Sequence, residues 1–116
     1  MRTASFFSPG LDLKDRRCVS IALTSPGGYR GRRCRSLAPS WPMVKMAKQG
    51  KLDAYRAYYT AILALFNASD IVSRLGPDAI LLCWEPAGQF CHRRLVAAWI
   101  ERETGIVVPE WEASGG

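Results

Sequence analysis

The stretch AILLCWEPAGQFCHRRLVAAWI, residues 79–100, decides how the chain folds. Residues 79–84 are continuously apolar and too few for a buried helix, so they read as a strand covered on both faces. A short connection, EPAG, follows. Across residues 89–104 the side chains Cys91, Leu95, Val96, Trp99 and Ile100 recur at helical spacing, and Gly105 stands where a left-handed residue ends a helix. A buried strand that feeds an amphipathic helix is half of a βαβ unit, and it implies a parallel sheet.

Working upstream, Leu52, Tyr55, Tyr59, Ile62, Leu63 and Phe66 mark a second amphipathic helix over residues 52–67. Between the two helices, Ser69 resembles an N-cap for DIVSRL, which Gly76 and Pro77 terminate. Pro42 opens a shorter helix through Lys48, and Gly50 ends it. The stretches TASFF and CVSIAL, the latter over residues 18–23, read as early strands. Between them and the helices lies TSPGGYRGRRCRSLAPSWP, which holds glycines and prolines without periodicity and reads as a long, arginine-rich loop. Downstream, IVV at residues 106–108 reads as a last short strand, and residues 111–116 as a frayed tail. The expected architecture is a single α/β domain over residues 1–110, with a mostly parallel sheet of about four strands and helices packed on its faces.

Composition limits the function classes. The chain has 116 residues, 48% of them hydrophobic, enough for one domain with a real core. No stretch approaches the roughly 20 apolar residues of a membrane helix, and the first residues lack the apolar block of a secretory signal. These features lead to the expectation of a cytoplasmic protein without a membrane partner. Cys18, Cys34, Cys83 and Cys91 contain no CxxC pair, and one histidine cannot complete the usual zinc patterns, so neither a metal nor another cofactor is expected. The thiols are expected to be reduced.

The formal charge of +6 is uneven. Arg2, Lys14, Arg16, Arg17, Arg30, Arg32, Arg33, Arg35, Lys45 and Lys48 face only Asp12 and Asp15 in the first part of the chain. Such asymmetry favours an anionic partner, whether nucleotide, phosphate or nucleic acid.

In parallel sheets, ligands bind beyond the carboxyl ends of the strands. Two segments meet that description, the arginine-rich loop and the EPAG turn, and they are expected to face one pocket. Glu85 follows the buried strand directly and is placed for acid and base work. Cys91 falls in the first turn of the last helix, where the helix dipole favours a thiolate, although a cysteine on an apolar stripe is more often a core residue. His92, the sole histidine, is the only imidazole base available. Arg93 and Arg94 add forked donors beside a helix N-terminus. Tyr29 supplies an aromatic face, Arg30 a guanidinium and Gly31 a close backbone approach. Trp41, Tyr55, Tyr58 and Tyr59 read as core or pocket wall rather than stacking platforms.

Taken together, SIAL, YRG, LAPSW and LLCWEPAGQFCHRRLVAAWI resemble the bacterial and phage domain-of-unknown-function family 488. The most specific element is LLCWE paired with CHR. The resemblance implies a compact α/β domain and a site at Cys83, Glu85, Cys91, His92 and Arg93, with loop elements at Tyr29, Gly31, Pro39 and Ser40. It names no reaction.

The expected function is binding of a small anionic, nucleotide-like ligand. Arg30, Arg93 and Arg94 would contact phosphate and Tyr29 or Trp84 would stack on a base, and the protein could sequester a nucleotide signal. Two alternatives use overlapping residues. One is a hydrolase or transferase acting on a nucleotide or nucleic acid through Glu85, His92 and Cys91. The other is a nucleic-acid-binding module built on RGRRCR. A homodimer is compatible with either.

Overall fold

The computed structural model describes residues 1–86 and 88–112. Four strands, β1 (Arg2–Ser5), β2 (Cys18–Ser20), β3 (Arg32–Arg33) and β4 (Ile80–Cys83), form one parallel sheet in the order β1-β4-β2-β3. Four helices accompany them: α1 (Trp41–Lys48), α2 (Leu52–Leu63), α3 (Ala68–Leu75) and α4 (His92–Thr104). This is the α/β architecture that residues 79–100 imply.

β4 is the centre of the sheet. It pairs with β1 on one side, Ile80 opposite Arg2 through Cys83 opposite Ser5, and with β2 on the other, Ile80 opposite Cys18 through Leu82 opposite Ser20. All four of its residues are buried, as a continuous apolar run requires. Full burial of a leucine contributes about 1.5–3 kcal/mol, so Leu81 and Leu82 alone rival a substantial part of a domain's net stability.

The pleat sorts the core into two clusters. Val19 and Leu81 face α1 to α4 through Met43, Tyr55, Tyr59, Leu63, Ile71, Val96, Trp99 and Ile100. Ala4, Cys18, Ile80 and Leu82 face the other way, where Phe6, Tyr29, Leu11 and Leu13 cover them without any helical residue. The expectation of helices over both faces is therefore corrected. The segments joining β1 to β2 and β2 to β3 contain no helix, and irregular chain closes that side.

Several local expectations also change. α1 starts at Trp41, capped by Ser40, whose hydroxyl accepts from the Met43 N–H at 3.4 Å. Asn67 rather than Ser69 caps α3, accepting from the Asp70 N–H, and Ser69 lies inside that helix. Asparagine at this position leaves Ala68 free to pack into the core. α2 stops at Leu63 and α4 begins at His92 rather than Gln89, with Cys91 as its N-cap. The extended backbone of Cys91, with φ −152° and ψ 144°, explains the later start, because a right-handed helix cannot run through it. Gly76 and Gly105 end α3 and α4 as expected.

The long loop contains β3, which the sequence does not betray because two exposed arginines carry no strand pattern. In the opposite direction, residues 106–108 form no strand. The chain meets β1 only at a parallel bridge between Thr3 and Glu110, with the Thr3 N–H donating to the Pro109 carbonyl at 3.0 Å. Pro109 has no N–H to continue a ladder. Trp111, assigned above to the tail, is anchored: its backbone N–H reaches the Thr3 carbonyl at 2.8 Å and its Nε1–H reaches the Pro9 carbonyl at 3.0 Å. Residues 113–116 of that tail lie outside the described residues.

Asp15 organises the entry to β2, accepting from the Arg17 backbone N–H at 2.9 Å and from its guanidinium at 2.8 Å. The Arg17 side chain, then its backbone, hold the carboxyl pKa down at about 2. Its stabilising contribution is complete above the unfolded value near 3.8 and disappears as pH falls through 2. Asp15→Asn should therefore flatten the acid limb of stability between these pH values, read as the urea midpoint against pH; an unchanged limb would remove Asp15 from the account.

Candidate functional site

A cavity of about 560 Å³ lies beyond the carboxyl ends of β2 and β4. Strand order makes room there. β4 has β1 on one side and β2 on the other, so the chains leaving β2 and β4 diverge over the sheet's end. Ala22, Leu23 and Thr24 after β2 form one wall, and Cys83, Trp84 and Glu85 at the end of β4 form another. α1 contributes Trp41, Val44 and Lys48, α2 contributes Leu52 and Tyr55, and the approach to α4 contributes Phe90, Cys91 and His92.

The walls are rich in aromatic rings held by specific partners. Phe90 sits edge-on to Tyr55 with ring centres 5.1 Å apart. The Trp84 Nε1–H donates to the Thr24 carbonyl at 2.8 Å, tying the two diverging segments together, and its ring packs edge-on against Phe6. Trp41, which is 52% exposed, lies beneath the ammonium groups of Lys45 and Lys48, 5.8 and 5.4 Å from its ring centre. The Arg56 guanidinium lies 5.2 Å from the centre of Phe90. Three cations thus rest on rings that line one cavity, Lys48 itself lining it as well, and among the described residues Glu85 is the one carboxylate in the lining.

At the floor, His92 is buried and T-stacked on Tyr59. Its Nε2 lies 2.6 Å from the Ile21 carbonyl, which can only accept, so Nε2 carries the proton. Burial lowers the imidazole pKa to about 4, which keeps the ring neutral near pH 7 and leaves Nδ1 as a lone pair. Nδ1 faces the Cys91 sulfur at 3.7 Å. Cys91 and Cys83 are joined sulfur to sulfur. The expectation of reduced thiols is corrected for this pair: the end of β4 and the cap of α4 bring together cysteines eight residues apart. Cys18 and Cys34 are free, and burial raises the Cys18 thiol pKa to about 11.

The structure separates the residues singled out from the sequence. Trp84, Glu85, Cys91 and His92 share the cavity, together with Pro39 and Cys83. Tyr29, Arg30 and Gly31 do not. They line a second cavity beside residues 12–16, with Tyr29 packed in the core cluster on the opposite face of the sheet. The two loops therefore do not converge as expected: the chain from 22 to 24 reaches the first cavity, and the arginine-rich run turns away from it. Ser40 serves as a helix cap.

Arg93 and Arg94 are also spoken for. Arg93 is 1% exposed, with Nε and Nη2 on the Glu110 carboxylate and Nη1 on the Cys83 sulfur and the Glu85 carbonyl. Arg94 donates to the Thr3 hydroxyl at 2.7 Å and the Val108 carbonyl at 2.9 Å. Both fasten the C-terminal segment to the sheet edge rather than facing a ligand. The residues that sequence reasoning missed are Lys45, Lys48, Arg56 and Phe90. A signal existed: Trp41, Lys45 and Lys48 fall on one helical face. No family model, curated protein or solved structure matches the chain.

Two substitutions check these structural assignments. Glu110→Leu should strand the Arg93 guanidinium and lower the unfolding free energy by about 3 kcal/mol, near the lower end of the range for broken buried pairs. Glu110→Gln, which keeps an acceptor, should cost less, and equal losses in urea unfolding would contradict the charge pairing. A methyl group at Gly31 would overlap the Tyr29 ring, whose hydroxyl is fixed on the Arg32 carbonyl at 2.8 Å. Gly31→Ala should cost about 1–3 kcal/mol, the usual penalty for overpacking; a thermal midpoint equal to wild type would contradict it.

Proposed function

We propose that the chain binds a small, planar, anionic ligand of nucleotide type in the cavity at the ends of β2 and β4. The observation that carries this reading is the pairing of aromatic walls with cations: Trp41 under Lys45 and Lys48, and Phe90 under Arg56. Aromatic faces accept a flat ring, and flexible ammonium groups at the same rim meet its charge. The volume of about 560 Å³ suits a ligand of that size. Relative to the expectation from sequence, the phosphate contacts move from Arg30, Arg93 and Arg94 to Lys45 and Lys48, assisted by Arg56, whose exposed pair with Asp53 at 3.5 Å is readily exchanged. Trp84 keeps its place in the wall. Sequestration of a nucleotide signal would need nothing more than such a pocket.

The resemblance to family 488 enters at the same place, since Cys83, Glu85, Cys91 and His92 of its motif all line the cavity. Hydrolase or transferase activity would use these groups as well. Binding is the better-supported reading because His92 has Nε2 committed to a backbone carbonyl and Cys91 is tied to Cys83.

Two tryptophans in the wall give the test its readout. Nucleoside 5′-monophosphates and cyclic nucleotides should quench intrinsic fluorescence saturably, and Lys48→Ala should weaken a monophosphate about tenfold, as loss of a charge-assisted contact does, while sparing the parent nucleoside. Absence of saturable binding by any member of the panel at millimolar concentration would overturn the proposal.

A further inference from the structure

Among the described residues, Cys83, Cys91 and His92 form the one group of histidine, cysteine and carboxylate side chains whose ligand atoms all lie within 4.8 Å of one another, and all three are buried. Two sulfurs and an imidazole are the donor set that soft-ligand zinc sites use. We propose that, with Cys83 and Cys91 reduced, these two thiolates and His92 Nδ1 bind one zinc ion whose fourth position opens into the cavity. Binding displaces the two thiol protons. In the disulfide form the two sulfurs are bonded to each other and the site is absent, so metal binding requires prior two-electron reduction by an external thiol or phosphine.

The histidine is already arranged as a ligand. Its Nε2–H donates to the Ile21 carbonyl at 2.6 Å, which fixes the tautomer and turns Nδ1 toward the Cys91 sulfur. Ligating histidines characteristically donate their second N–H to a carboxylate or a carbonyl in this way. The Cys83 sulfur accepts from Arg93 Nη1 at 3.0 Å, a contact that stabilises a thiolate far more than a neutral sulfur. The Cα atoms of Cys83 and Cys91 are 7.3 Å apart, beyond the roughly 4.4–6.8 Å that disulfides usually span, a spacing that suits two thiolates sharing an ion.

Charge balances at the site. Zinc offsets two thiolates, and Arg93 is already offset by Glu110 at 2.7 Å. All three ligands line the cavity, so the remaining tetrahedral position faces open space rather than a fourth cysteine. Three protein ligands with one open position are the arrangement of catalytic rather than structural zinc. Glu85 stands beside it, with a carboxylate oxygen 3.6 Å from the Cys83 sulfur.

The sequence conceals this site. A strand end and a helix cap supply the sulfurs eight residues apart, outside the close spacing by which zinc motifs are recognised. The inference does not depend on nucleotide binding.

The test uses the full chain, reduced with a phosphine, stripped with a chelator and titrated anaerobically with cobalt and then zinc. One cobalt per chain should bind with intense thiolate-to-metal charge-transfer absorption, and zinc should displace it. Cys83→Ser and Cys91→Ser should each lose that absorption or weaken zinc by at least about tenfold, with Cys18→Ser and Cys34→Ser unchanged. Since a variant can fail to fold, zinc should also slow iodoacetamide labelling of Cys83 and Cys91 in the reduced wild type. Absence of cobalt binding by the folded, reduced chain, absorption that survives in both site variants, or labelling indifferent to zinc would each overturn the proposal.

Discussion

A guanidinium with almost no exposure must find acceptors within its reach, and much of the molecule is arranged around meeting that demand for Arg93. Its donors go to Glu110, to the Cys83 sulfur and to the Glu85 carbonyl. These partners belong to three separate pieces of chain: the returning C-terminal segment, the end of β4 and the turn that leaves it. Because Arg93 itself is in the first turn of α4, one side chain fixes the helix start, the strand end and the last stretch of backbone relative to one another. Arg94 extends the arrangement through Thr3 and Val108. Thr3 in turn donates to Glu110 at 2.7 Å, which closes the network on the β1 edge.

This network determines where the cavity can be. With α4 held over the end of β4, Cys91 and His92 necessarily overhang the exit of that strand. His92 then reaches Ile21, the first residue past β2, and so spans the gap between the two diverging chains. Trp84 closes the same gap further out by donating to Thr24. The helix pair α1 and α2 supplies the remaining wall, since Tyr55 packs on Phe90 and Tyr59 on His92. The cavity is thus bounded by groups whose own positions are fixed by hydrogen bonds and ring packing. Walls fixed in this way are preorganised, and filling such a cavity would cost little ordering entropy.

Legibility from sequence followed the strength of the local signal. Residues 79–105 carry an apolar run, one clear helical periodicity and a glycine stop, and the strand, the parallel sheet and the helix are read from them, the helix start alone being placed three residues early. β3 is invisible because its two arginines are held by registry with Val19 and Ser20, a non-local pairing with no pattern of its own. IVV has strand composition, yet its valine at 108 is consumed as core and Pro109 stops any ladder. The site was half legible for the same reason. Glu85, Cys91 and His92 could be placed because they sit beside a strong strand and helix, whereas Glu110, Thr3 and Val108, which engage Arg93 and Arg94, lie 14 to 91 residues away along the chain.

Charge illustrates the limit most clearly. A formal excess of +6 invites a search for an anion among the arginines, which are the more conspicuous cations in the sequence. Folding assigns four of them other tasks. Arg17 is engaged by Asp15, Arg32 by the Leu75 carbonyl, Arg93 by Glu110, and Arg94 by Thr3 and Val108. A guanidinium suits these roles because its fixed fork can satisfy several acceptors at once. Lysine, with a compact charge on a flexible stem, is less useful for bridging backbone and more easily left at a rim. Lys45 and Lys48 are left there, on the outer face of α1 above Trp41. Were the cavity to hold an anion, the cations open to it would be those that the fold has not committed to backbone carbonyls or buried carboxylates.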